Sequence, residues 1–154
     1  MAARHSTRAQ PPAPCKFCAI ARGEEKTSAV YSDETSVAFL DYRPLILGHL
    51  LLVPRLHYPT LADVPDEAIG ALAIDAKLLS AAVMQAFGAE GSFVALNNIV
   101  SQSLPHVHVH IVPRNKGDGL FASGFIWKRV AYRDDAEREA TAARIRAALA
   151  EIRG

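Results

Sequence analysis

Apolar side chains recur at three- and four-residue steps through Ile69, Leu72, Ala76, Leu79, Val83 and Phe87, one stripe along a helix predicted over Asp66–Phe87. Pro65 stands where a helix can begin and Gly88 where one can end. The other apolar runs are shorter. Cys15–Gly23 reads as a helical turn closed by glycine, while Val30-Tyr31 and Val37–Leu40 read as strands around the polar turn Ser32–Ser36. His49–Pro54 suits a buried strand, and Phe93–Asn97 and Phe125–Val130 are further candidates. His106–Val112 alternates strictly between histidine and an aliphatic residue, the plainest strand pattern in the chain. An Ala/Arg/Glu helix is predicted from Asp134 to about Ile152. Short strands gathered around one long helix imply an α+β fold with a mainly antiparallel sheet.

Composition narrows this reading in two ways. The 154 residues suit one domain, large enough to fold without a disulfide or metal. Seventeen basic against sixteen acidic residues give a net charge of +1, which excludes nucleic-acid binding by bulk electrostatics but not a small anionic ligand. No apolar run approaches the ~20 residues of a membrane span, so no membrane partner is expected. Residues 1–14 are polar, basic and proline-rich without an apolar stretch, an expected disordered tail preceding a domain over 15–154. Two cysteines alone make no disulfide framework, and a cytoplasmic location is the expectation.

The alternation carries the chemistry. Side chains at i, i+2 and i+4 of a strand share a face, so His106, His108 and His110 line one side and Val107, Val109 and Ile111 pack the other. Such a row can hold a catalytic zinc with a distant third ligand, or present one neutral imidazole as a nucleophile beside an acid and an orienting partner. The flanks favour the second. Asn97, Asn98, Ser101, Gln102, Ser103 and Arg114 offer neutral and cationic donors, and no Asp or Glu occurs between Glu90 and Asp118. That surrounding suits a phosphoryl group.

The run Gln102-Ser103-Leu104-Pro105-His106-Val107-His108-Val109-His110-Ile111-Val112 resembles the signature of the histidine triad (HIT) family, His-φ-His-φ-His-φ-φ with φ apolar. Cys15–Ile20 resembles that family's N-terminal turn, Phe39-Leu40-Asp41 with Pro44 and Gly48-His49 its ribose-contacting strand and turn, and Leu52–His57 the strand end that follows. The resemblance covers about residues 15–120. It implies a HIT-like fold, with a mainly antiparallel five-stranded sheet, paired into a symmetric homodimer, and purine nucleotide substrates cleaved through a nucleotidyl-histidine intermediate to release a nucleoside monophosphate. Carried over, His108 is the nucleophile and His110 the donor to phosphate and leaving group, with His106 and His49 buttressing the row. Asn98, Gln102 and Ser103 match phosphate-loop positions, and Asp41 the acceptor for ribose hydroxyls. The segment Asn98–Gln102 departs from the family by being short and glycine-free, which implies a tighter loop. A nucleotidyl transferase of the same chemistry and a non-catalytic nucleotide-binding interaction protein are the alternatives.

Cys15 and Cys18 form a C-x-x-C with three readings: reduced packing cysteines, a redox pair, or half of a zinc site. Resemblance to bacterial HIT proteins implies the third, a structural zinc held by Cys15, Cys18, His57 and His106. Trp127 is read as a packing residue or a dimer contact, and Arg114 as a phosphate contact or an exposed strand-end cation.

Overall fold

The structure is a computed structural model and describes residues 14–123 and 128–154. A short helix, α1 (Lys16–Ala21), leads into β1 (Ala29–Ser32), β2 (Ser36–Leu40) and β3 (Leu50–Pro54). The long helix α2 (Asp66–Phe87) follows, then β4 (Gly91–Ala95), β5 (Val109–Arg114) and the C-terminal helix α3 (Asp135–Arg153). The strands form one sheet in the order β1-β2-β3-β5-β4, every neighbouring pair antiparallel. This is the expected α+β architecture with a five-stranded antiparallel sheet.

Both faces of the sheet centre are covered, which is why β2 and β3 read as unbroken apolar runs rather than alternating ones. On one face Ala38, Leu40, Leu50, Leu52, Val109 and Ile111 pack with Leu72, Ala76, Leu79 and Val83 of α2 and Ala142, Ile145 and Leu149 of α3. On the other, Val37, Phe39, Leu51 and Val53 pack with Phe17, Ile20 and Ala21 of α1. The helix α2 has the predicted bounds. Pro65 occupies its N-cap position, one residue earlier than the first turn, and Gly88 closes it at φ +60°. Its buried stripe carries one polar residue, Asp75, which accepts hydrogen bonds from the Tyr31 and Ser36 hydroxyls, each at 2.8 Å.

Strand β5 begins at Val109, three residues later than the alternation predicts. Its pairing with β3 ends at Leu52↔Val109. Beyond that point other contacts hold the chain: Val107 N–H donates to the Tyr58 carbonyl at 2.8 Å and the His106 side chain to the Pro54 carbonyl at 2.9 Å. The two-faced pattern survives without the ladder. Val107 joins the α2-side core and all three imidazoles are buried. Of the strand expected at Phe125–Val130, residues 125–127 lie outside the described residues and 128–130 form no strand.

Gly48 sets the turn that delivers His49 to the sheet. It sits at φ +96°, and a Cβ there would fall 2.4 Å from the Phe87 ring. Gly48→Ala is therefore expected to destabilise the protein by about 2–4 kcal/mol, left-handed strain plus overpacking, read as a lower midpoint in chemical denaturation.

Candidate active site

Because Leu51 pairs with both Phe39 and His110, these three side chains share the sheet face opposite α2. That face opens into a cavity of about 600 Å³. Phe17, Ile20, Phe39, Leu51 and Leu104 give it an apolar wall, while Asp41, Ser103, His108, His110 and Arg129 supply polar groups.

The hydrogen bonds fix the proton on every ring of the histidine row. His108 Nδ1 lies 2.7 Å from the His106 carbonyl, which can only accept, so Nδ1 carries the proton and Nε2 keeps its lone pair. Leu45 N–H donates to His49 Nδ1 at 3.1 Å, which leaves the His49 proton on Nε2. That proton is donated to His110 Nδ1 at 2.9 Å, so the His110 proton sits on Nε2. A backbone amide, His49 and His110 thus form a directed relay ending in an N–H on a ring that lines the cavity. The His108 and His110 rings lie edge to face, 5.1 Å between centroids. One ring offers a lone pair and its neighbour a proton, which together suit nucleophilic attack and protonation of a leaving group.

Electrostatics keep the row neutral. Burial, reinforced by the His108 and Arg129 charges, pushes His110 down to about 4. Burial likewise lowers His49, with His110, Arg129 and His108 adding to it, and burial lowers His108. The sign of the linkage follows. With the folded pKa below the ordinary 6.5, the unfolded chain takes up protons first as pH falls. The stability held by neutral His110 is complete above pH 6.5 and declines between 6.5 and about 4, while that held by neutral His49, which burial lowers further, goes on declining below 4. Denaturation midpoints measured across that range are expected to fall with pH.

Asp41 is not part of a carboxylate–histidine pair. Its Oδ2 is 3.7 Å from His49 Nδ1, whose lone pair already accepts from Leu45. The carboxylate instead accepts from Arg43 N–H at 2.9 Å and from Arg129 Nη1 at 2.8 Å.

The first histidine of the row faces elsewhere. His106 Nε2–H donates to the Pro54 carbonyl, and its Nδ1 lone pair lies 3.4 Å from Cys15 Sγ and 3.5 Å from Cys18 Sγ. His57 Nδ1 is 3.4 Å from Cys18 Sγ, and the four ligand atoms all lie within 4.8 Å of one another. Zinc–sulfur bonds of ~2.3 Å and zinc–nitrogen bonds of ~2.1 Å at tetrahedral angles put S and N about 3.6 Å apart, so this donor set fits zinc. His57 Nε2 is buried without a hydrogen-bond partner among the described residues, so what holds that ring acts at Nδ1. Burial pushes the Cys18 thiol up to about 11, a cost that a bound cation would reverse by stabilising the thiolate. Asp41, His49 and His110 also cluster, but the His49–His110 hydrogen bond and the Arg129 ion pair already occupy their donor atoms.

The expected phosphate loop divides. Ser103 lines the cavity. Gln102 donates to the Pro59 carbonyl at 2.7 Å and accepts from Ile99 N–H at 2.9 Å, while Asn98 accepts from Leu61 N–H at 2.8 Å. Both side chains brace the loop rather than line the cavity. The tightness expected of a glycine-free loop takes the form of Ile99 at φ +64° and Ser101 at φ +62°. Arg114 turns to Asp118, at 2.5 and 2.9 Å, stacks on Phe121 and is not among the residues that line the cavity. Trp127 lies outside the described residues. Arg129 and Arg138 line the cavity although sequence pattern marks neither. An arginine in a polar tail carries no periodic signal.

An antiparallel sheet carrying a row of three buried imidazoles, two of them lining a cavity and the first turned to a cysteine pair, defines the histidine triad class of fold and site. The comparisons agree. Residues 22–117 match the HIT domain family, and the chain belongs to the HIT family. It is 39% identical over 111 residues to adenylylsulfatase HINT3 of Arabidopsis thaliana, covering 71% of this chain and 56% of that protein. It is 34% identical over 111 residues to the adenosine 5′-monophosphoramidase HNT1 of Saccharomyces cerevisiae, 70% of this chain and 68% of that one. A zinc-bound histidine triad family protein from Mycobacterium smegmatis superposes with a TM-score of 0.77 at 33% identity, over 90% of this chain and 95% of the other.

Proposed function

We propose that this chain is a hydrolase that cleaves at the α-phosphate of adenine nucleotide derivatives, such as phosphoramidates, adenylates or dinucleoside polyphosphates, and releases AMP. The observation that carries the reading is the proton assignment: His108 Nε2 bears a lone pair and His110 Nε2 a proton, side by side at one cavity. Two relatives, one named an adenylylsulfatase and one an adenosine 5′-monophosphoramidase, support the substrate class.

His108 Nε2 attacks the α-phosphorus and forms an N–P bond as the bond to the leaving group breaks. The leaving group takes the proton from His110 Nε2. His110, now with a lone pair there, accepts a proton from water as the water oxygen attacks phosphorus and the N–P bond breaks. AMP leaves with both histidines restored. The Ser103 hydroxyl donates to a phosphate oxygen, and the adenine lies against Phe17, Ile20, Phe39 and Leu51. Asp41 retains lone pairs for the ribose hydroxyls, since each of its oxygens accepts only one hydrogen bond from the protein among the described residues. The His106 carbonyl and His49 act as positioning groups that set the two tautomers.

Zinc on Cys15, Cys18, His57 and His106 serves as a structural tie, since four protein ligands leave no open position for substrate. It fixes α1, which carries Phe17 and Ile20 to the cavity wall, and the residue whose carbonyl orients His108. The protein works as a homodimer. The outer strand β4 supports this, with an edge unpaired among the described residues and Val94 44% exposed. No described helix is long and apolar enough to cross a membrane.

The direct test is AMP release from adenosine 5′-phosphoramidate. Turnover is expected. Tight AMP binding with no turnover on phosphoramidate, adenylyl sulfate or diadenosine polyphosphate would contradict the reading and leave a nucleotide-binding protein.

A further inference from the structure

Arg129 lies beyond the residues that match the family domain, yet it lines the same cavity as His108 and His110. Its Nη1 donates to Asp41 Oδ2 at 2.8 Å and to the Arg43 carbonyl at 2.7 Å. A guanidinium has five N–H donors in a rigid fork. The Nε and Nη2 groups of Arg129 have no hydrogen-bond partner among the described residues, and its side chain is 32% exposed. One part of the fork is pinned and the rest is unspent.

The segment around it is also held. Val130 N–H donates to the Pro44 carbonyl at 2.8 Å, Gly48 N–H donates to the Tyr132 hydroxyl at 3.3 Å, and Arg138 reaches the Ser28 hydroxyl at 3.3 Å. Arg129 is thus strapped to the β2–β3 turn. Its position is set by the fold rather than by the ligand.

The charge of the wall exceeds what one phosphate requires. Lys16, Lys26, Arg43, Arg129 and Arg138 line the cavity against Glu25 and Asp41, five cations to two acids in a chain with a net charge of +1. Lys16 pairs with Glu25 at 3.3 Å, Arg129 with Asp41 at 2.8 Å and Arg138 with Asp135 at 2.8 Å, whereas no ion pair of Lys26 or Arg43 is found among the described residues. A pinned arginine with free donors, in a positively charged cavity, is the arrangement that binds a phosphate or sulfate.

We propose that Arg129 forms a second oxyanion subsite beside Asp41, which takes a phosphate or sulfate group of the substrate other than the one held at the histidines. The inference rests on the nucleotide reading above. Two sources share this chemistry: a charged leaving group attached to the α-phosphate, or a phosphate ester on the ribose. The same wall that accepts ribose hydroxyls at Asp41 would accept a ribose phosphate at Arg129; in dinucleotide sites an acidic residue takes the ribose hydroxyl and an arginine the ribose phosphate.

Calorimetric titration of AMP, ADP and adenosine 3′,5′-bisphosphate into wild type and Arg129→Gln separates the possibilities. Wild type is expected to bind at least one of the two doubly phosphorylated ligands about 10-fold or more tighter than AMP. Arg129→Gln is expected to lose about 10- to 100-fold on that ligand and much less on AMP, with Arg129→Lys between them. Loss on ADP assigns the subsite to the leaving group; loss on the bisphosphate assigns it to the ribose. Equal weakening of all three ligands would overturn the proposal and reduce Arg129 to a support for Asp41. Should the variants fail to fold, equal wild-type affinity for all three ligands would overturn it alone. Failure of wild type to bind AMP is a different result, which removes the nucleotide reading and the subsite with it.

Discussion

His108→Asn is expected to abolish AMP release from adenosine 5′-phosphoramidate, by about 10⁴-fold or more, while the protein stays folded and still binds AMP. Asparagine can keep the side-chain hydrogen bond that His108 makes to the backbone. Its side-chain amide N–H sits close to the place of imidazole Nδ1–H and can donate to the His106 carbonyl, a bond of 2.7 Å in the wild type. What it removes is the Nε2 lone pair. His110→Gln tests the other half of the pair and should cost less, about 10²–10⁴-fold, because it deletes an acid and not the nucleophile. That cost should shrink with a leaving group that departs without a proton. Equal losses for the two variants on all substrates would show that the roles are not divided in this way. Activity and AMP affinity, measured side by side with thermal melting, separate a chemical defect from a folding one.

Loss of the zinc tie is the second large expected effect. Cys18→Ser should leave the purified protein without bound zinc, where wild type is expected to carry about one per chain. The donor atoms stand 3.4–3.5 Å apart along the measured edges, near the ~3.6 Å of a tetrahedral site, so little reorganisation is needed on binding. A metal held at ~1,000 times its Kd stabilises the folded state by about 4 kcal/mol, so melting should fall by about 8–16 °C. The fall should be accompanied by weaker AMP binding, because α1 brings Phe17 and Ile20 to the cavity and Cys18 is buried in that helix. A zinc-free wild type with the same melting temperature as Cys18→Ser would contradict the assignment. It would return the pair to the reduced packing cysteines that the C-x-x-C alone also allows.

Much of this was legible in the chain because it is local. The α2 stripe and its glycine stop are set by spacing within one helix, and the helix has the bounds the spacing implies. The alternation of His106–Val112 correctly separates a core face from a histidine face. It does not say where ladder pairing starts, because that depends on how far β3 runs alongside, and pairing ends at Leu52↔Val109. The loop residues Asn98 and Gln102 were placed by resemblance at the phosphate. In the structure their side chains bond to the Leu61 N–H and the Pro59 carbonyl, partners set by the chain between β3 and α2. Sequence pattern does not mark Phe17, Ile20 and Leu51 as cavity wall, since a residue that walls a cavity and one that fills a core have the same chemistry. Arg129 reaches Asp41 across 88 positions of sequence, a distance over which no periodicity operates. The direction of the His49–His110 relay depends on a backbone N–H of Leu45, a donor that every residue except proline possesses.

The central claim is that hydrolysis proceeds through a bond between His108 and the nucleotide. The stereochemical course at phosphorus tests it most directly. Hydrolysis of a substrate with a chiral α-phosphorothioate in heavy-oxygen water reports whether one or two in-line displacements occur. Attack by His108 followed by water inverts phosphorus twice, so net retention is expected. Net inversion would mean that water attacks directly, and His108 would then be no nucleophile.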